Sequence, residues 1–139
     1  MSEKLINHWI ETSDRDFDTM LWLLKGKKYS QSLFFGHLTL EKLIKAMFAK
    51  TNTENPYAPK SHNLLYLAKL SNIELDEKTE DKLEYITDFN MTARYEDEKQ
   101  AFYKKCTEEF TIEQIKIIKE LREWLKKLIA EFSESSTNT

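Results

Sequence analysis

The segment "QSLFFGHLTLEKLIKAMFAK", residues 31 to 50, sets the terms for everything the chain can fold into. It is too apolar to lie on a surface, yet Glu41, Lys42 and Lys45 stand in its middle. Advancing about 100° per residue on a helix, Leu33, Leu40, Leu43, Ile44, Met47 and Phe48 fall on one side and Phe35, Ala46 and Ala49 on a second. Glu41, Lys42 and Lys45 share what remains, an arc of roughly 100° interrupted by Phe34 and Leu38. A helix apolar on more than one side is either the centre of its own bundle or shared with a second chain. Its charges then either decorate a wet edge or meet partners in a polar site.

The rest of the chain supplies helices to surround it. Leu5, Ile6, Trp9, Ile10, Phe17, Met20, Leu21 and Leu24 recur three or four apart and predict a first helix, ended by Gly26 as a left-handed residue. On its other face Glu11 and Arg15 stand at i,i+4 among Asp14 and Asp18, the pattern of solvated surface. Ser30 is the expected cap of the second helix, which "TNTENPYAP" breaks. Ser61 is the expected cap of a short third helix packing through Leu64, Leu65 and Ala68. Asp76 or Thr79 opens a fourth, with Leu83, Ile86 and Phe89 or Asn90 inward, running to about Ala93.

"RYEDEKQAFYKKCTEEF" has weak periodicity and reads as a partly helical connection. Thr111 and Gln114 form a capping-box pattern before a long last helix carrying Ile115, Ile118, Leu121, Trp124 or Leu125, Leu128 and Phe132. With two glycines and two prolines in 139 residues, there is little material for tight β-turns. The expectation is an all-α fold, a four- to five-helix up-and-down antiparallel bundle. One domain covers 1–132, and 133–139, "SESSTNT", reads as a disordered tail.

Charge and motif absences narrow the function. A formal charge of -3 gives no overall field for nucleic acid or an anionic membrane. No apolar run reaches a membrane span or a signal peptide, and the single Cys106 excludes an internal disulfide, so the expected location is the cytoplasm. Gly26 and Gly36 cannot build a phosphate loop or a dinucleotide fingerprint, and neither H-E-x-x-H nor E-x-x-H is present. Asp16 points away from Asp14 and Asp18 on a helix, so no metal and no cofactor is expected. His8 reads as surface, His37 as a hydrogen-bonded half-buried residue, and His62 as part of a turn.

The order of "WIETSDRDF", "YSQSLFFGHLTLEKLIKAMF", "HNLLYLAKL" and "ARYED" resembles the higher-eukaryote and prokaryote nucleotide-binding (HEPN) domain in its small stand-alone form, over roughly residues 5 to 130. The most specific string is E-K-x-x-K-A at Glu41, Lys42, Lys45 and Ala46, followed by His62 and Arg94-Tyr95. The resemblance implies a helical bundle paired as a homodimer, here through the apolar excess of the second or last helix, with a nucleotide or other substrate as ligand. It also implies a minimal nucleotidyltransferase as partner in a two-component, toxin–antitoxin-like module.

A ribonuclease branch of the family uses an Arg-x(4–6)-His motif. The positions at that spacing after Arg94 are Lys99, Gln100 and Ala101, and neither Arg15 nor Arg122 is followed by a histidine. This disfavours the ribonuclease toxin. The Arg-Tyr-Pro-Asp of the stand-alone group is also altered, with Glu96 in place of proline. If the likeness holds, Asp16, Glu41, Lys45 and Arg94 form one compensated buried network, and Lys45 and Arg94 with Tyr95 are the candidate ligand-binding residues. The remaining alternative is a structural dimeric adaptor that recognises a protein with exposed aromatics.

Overall fold

The computed structural model describes residues 2–132, so the expected tail at 133–139 lies outside the described residues. Six helices follow one another: α1 (Ser2–Lys25), α2 (Tyr29–Thr51), α3 (Leu64–Leu70), α4 (Glu77–Thr87), α5 (Glu96–Lys105) and α6 (Glu108–Glu131). No strand occurs among the described residues, as the scarcity of turn residues leads one to expect. The helix beyond the expected five is α5, in the segment read as a connection. Only Phe102 of its ten residues is buried, so the rest of its surface has no apolar period to betray it.

Helix α2 is the hub. It packs along α1 and α6 and also touches α3 and α5, while α4 packs on α3. Leu33, Leu40, Leu43, Ile44, Ala46 and Ala49 are completely buried. The first apolar side and the two alanines of the second are therefore covered within the chain, while Phe35 is only partly buried. Hydroxyls join the layers where side chains must be small: Ser13 donates to the Thr39 carbonyl at 2.7 Å and Ser32 to that of Met20 at 2.8 Å. Gly36 lets three helices converge. A Cβ there would come 2.6 Å from Ile118 Cδ1 and 3.0 Å from Met20 Sδ.

Several helix ends differ from expectation, each for a local reason. Gly26 still bonds the Trp22 carbonyl through its N–H, so the left-handed position falls one residue later, on Lys27 with φ 61°. Helix α2 begins at Tyr29 after Lys28, with no side-chain cap, and Ser30 lies inside its first turn. Asn63 rather than Ser61 caps α3, its Oδ1 accepting from Tyr66 N–H at 3.0 Å. Asp76 caps α4 by accepting from Thr79 N–H. That helix stops at Thr87, not near Ala93, and Phe89 and Asn90 turn inward from the following loop. Thr107, accepting from Phe110 N–H at 3.2 Å, caps α6 one turn before the expected Thr111, which is buried inside the helix.

The outer face of α1 is also less wet than its spacing suggests. Asp14 accepts from Arg122 at 3.1 Å and from Lys126 at 2.9 Å, tying α1 to α6, and the Arg122 guanidinium lies 3.8 Å from the Phe17 ring centroid. Partial burial pushes the Asp14 carboxyl up, but the hydrogen bonds from Lys126 and Arg122 outweigh it and hold the group below its ordinary value. No ion pair joins Glu11 to Arg15 among those of the described residues. The two-cation grip on Asp14 offers a stronger field than a single surface partner.

Candidate functional site

Glu41 is the one carboxylate of α2 turned inward, and its residue is 4 % exposed. A charge so placed is tolerated only when each oxygen has a partner. Lys45, one turn on, donates to Oε2 at 3.0 Å, and His62 Nδ1 lies 2.7 Å from Oε1. Because the carboxylate oxygen accepts in this contact, His62 Nδ1 carries the hydrogen, and the His62 side chain is 59 % exposed. The Lys45 ammonium also sits 5.3 Å from the Trp9 ring centroid, a cation–π contact with α1.

His37 completes the cluster from beneath. It is fully buried, and its Nε2 lies 2.7 Å from the His62 carbonyl, which can only accept, so Nε2 is the protonated nitrogen. This bond fastens the loop before α3 to α2 and sets the backbone from which the His62 ring reaches Glu41. Nδ1 of His37 is left without a hydrogen-bond partner, 3.9 Å from Glu41 Oε1. Burial, partly offset by the His62 carbonyl and by Glu41, holds the His37 imidazole below its ordinary value and therefore neutral near pH 7.

That depression has a measurable consequence. The unfolded chain binds a proton at His37 near pH 6.5 whereas the folded chain resists it, so stability is fully present above about pH 6.5 and declines as pH falls toward the lowered folded value. The urea midpoint should drop between pH 7.5 and pH 5. His37→Gln, which keeps an amide donor for the His62 carbonyl, should flatten that drop. An unchanged slope in the variant would remove His37 as its source.

The residues expected to form one network are divided by the structure. Asp16, 9 % exposed, faces Lys42 at 2.6 Å rather than Lys45, forming a second bridge between α1 and α2. Arg94 takes no part in either pair. It lies after α4, donating to Asp88 at 2.9 Å and to Glu98 at 3.4 Å, and Tyr95 beside it is 80 % exposed. Local geometry explains the separation: Asp88 and Glu98 are six and four residues from Arg94, so pairing with them requires little chain ordering. The single four-residue network is thus replaced by a Glu41–Lys45–His62 node with His37 below it, an Asp16–Lys42 bridge, and a separate arginine clamp.

His62, read from the sequence as part of a turn, is the member of the node missed there, while His37 is hydrogen-bonded as expected but fully rather than half buried. His37 at i−4 from Glu41 is a signal visible in the sequence. His62 is reached only through the fold of the loop between α2 and α3. Among the described residues no three His, Cys, Asp or Glu side chains form a group able to hold a metal ion, and no helix is long and apolar enough to cross a membrane. Comparison with family models finds one described as HEPN domain, which matches residues 6–128. Comparison with curated proteins and with solved structures finds no match.

Proposed function

The chain belongs to the HEPN domain family, and on that premise we propose that it is a non-catalytic nucleotide- or substrate-binding accessory protein. In this reading it works as a cytoplasmic homodimer beside a minimal nucleotidyltransferase, in a two-component, toxin–antitoxin-like module. The observation that supports it most is the state of Arg94. Its guanidinium is spent on Asp88 and Glu98, and the positions where the family's nucleases carry a histidine hold Lys99, Gln100 and Ala101. An arginine neutralised by two carboxylates has little field left to stabilise a developing phosphorane, and neither glutamine nor alanine can relay a proton near neutrality.

One observation favours the ribonuclease alternative. His62, with Nδ1 held by a buried carboxylate and Nε2 facing outward, has the arrangement of an oriented general base. Incubating the purified protein with RNA separates the two. An inert sample that co-purifies with a co-expressed minimal nucleotidyltransferase supports the accessory reading. Cleavage abolished by His62→Ala in a folded variant would replace it with the nuclease.

A further inference from the structure

Two grooves meet at the start of α2. The first, about 450 Å³, is walled by Phe34 and Phe35 of α2, Phe89 and Met91 of the loop after α4, and Phe102 and Tyr103 of α5. The second, about 360 Å³, is bordered by Lys27, Lys28 and Lys104. Ser30, Gln31 and Tyr103 belong to both, so the two are halves of one cleft, aromatic at one end and cationic at the other. Lys99 stands on the rim of the aromatic half.

The charge of this cleft is out of keeping with the chain around it. Acids outnumber bases by 24 to 21 in the whole sequence, yet no aspartate or glutamate lines either half. The grooves elsewhere do carry carboxylates: Asp18 and Glu108 in one, Asp81 in a second, Glu54 in a third. Lys27, Lys28, Lys99 and Lys104 are exposed, and none joins an ion pair among the described residues. Cys106, also at the cationic end, adds no negative charge, since burial pushes its thiol up to about 11.

We propose that this cleft is a binding site for a planar aromatic anion, with the ring against Phe34, Phe35 and Tyr103 and a phosphate or carboxylate head against Lys27, Lys28 and Lys104. The site deepens the binding half of the function proposed above and rests on it. Aromatic side chains offer a ring a face or an edge, and the volume falls in the range that holds a small organic ligand. Unpaired ammonium groups with no competing carboxylate attract an anionic head, more strongly at low salt. Because Ser30, Gln31 and Tyr103 span both halves, a ligand that has ring and head on one frame engages them together.

Calorimetric titration with 1-naphthyl phosphate tests the site, with 1-naphthol and inorganic phosphate as its two halves. The whole molecule should bind at least about tenfold more tightly than either half, because joining them makes the second contact intramolecular. A Lys28→Ala, Lys104→Ala double variant should weaken binding about tenfold and flatten its salt dependence. Phe34→Ala, checked for folding by circular dichroism, should weaken it without changing that dependence. Titrations with AMP and with 2-naphthoate then identify the source. Tighter AMP binding assigns a nucleoside phosphate, tighter naphthoate binding an aryl acid, and either supports the site.

Binding that all these variants retain at full strength would overturn the cleft and leave the binding reading standing. Failure of all three aromatic anions to bind would overturn both. Neither result depends on RNA cleavage or on partner capture, which test the remainder of the proposed function.

Discussion

Replacing Glu41 by alanine should destabilise the protein by about 3 kcal/mol, read as a lower urea midpoint with an unchanged slope. The loss comes less from the bonds removed than from what they leave behind. Lys45, whose side chain is 11 % exposed, would keep its charge against the Trp9 ring with no counter-ion. The His62 ring would lose the acceptor that orients it, and His37 would be left with only its link to the loop carbonyl. Glu41→Gln, which keeps an oxygen for one donor, should cost less than half as much. Adding Lys45→Met to Glu41→Ala should recover part of the loss, because removing both charges leaves none stranded. A single-variant loss below about 1 kcal/mol would mean that water already solvates this node, and the buried-charge account would fail.

The second large effect belongs to Phe89→Ala, at about 4 kcal/mol in thermal or urea unfolding. Phe89 is 2 % exposed, and its ring lies 5.6 Å from that of Phe102, 5.7 Å from that of Tyr85 and 6.4 Å from that of Phe110. One side chain thus holds α4, α5 and the start of α6 together. Since Phe102 is the only buried residue of α5, the cavity left by Phe89 should release that helix before the others. Backbone amides of residues 96–105 should then exchange through local opening, far faster than those of α2, which still require global unfolding. Unchanged exchange in α5, with a stability loss under about 1.5 kcal/mol, would show that α5 is anchored by other means.

What the sequence disclosed follows from how each signal is stored. The three long helices were legible because Leu33, Leu40 and Leu43, or Ile115, Ile118 and Leu125, repeat on one face over several turns. Helix α5 was not, since a single inward Phe102 makes no period. Two caps were misread where another candidate stood about a turn away, Ser61 beside Asn63 and Thr111 after Thr107; spacing alone does not decide which oxygen reaches an N–H.

The site was divided in the same manner. That Glu41 needs internal partners follows from its place in an apolar helix, and Lys45 at i+4 is a local relation. The meeting of His62 with Glu41, twenty-one residues apart, is a product of the loop between α2 and α3 and has no sequence period. Arg94 was drawn toward Glu41 by the family resemblance, whereas Asp88 and Glu98 were nearer along the chain. The lysine-rimmed cleft was invisible because Lys27 and Lys104, far apart in sequence, become neighbours only when α5 lies across the beginning of α2.

The hub arrangement of α2 has an evolutionary consequence. Peripheral helices that meet mainly through a shared centre can drift almost independently, so changes on α3 and on the far face of α6 should combine by simple addition. Changes on α2 are felt by α1, α3, α5 and α6 at once, and at Gly36, where Met20 and Ile118 close in from opposite neighbours, even one methyl group would demand concerted adjustment on two helices. Epistasis in this lineage should therefore concentrate on a single rod, leaving the outer surfaces open to acquire new specificities without renegotiating the interior.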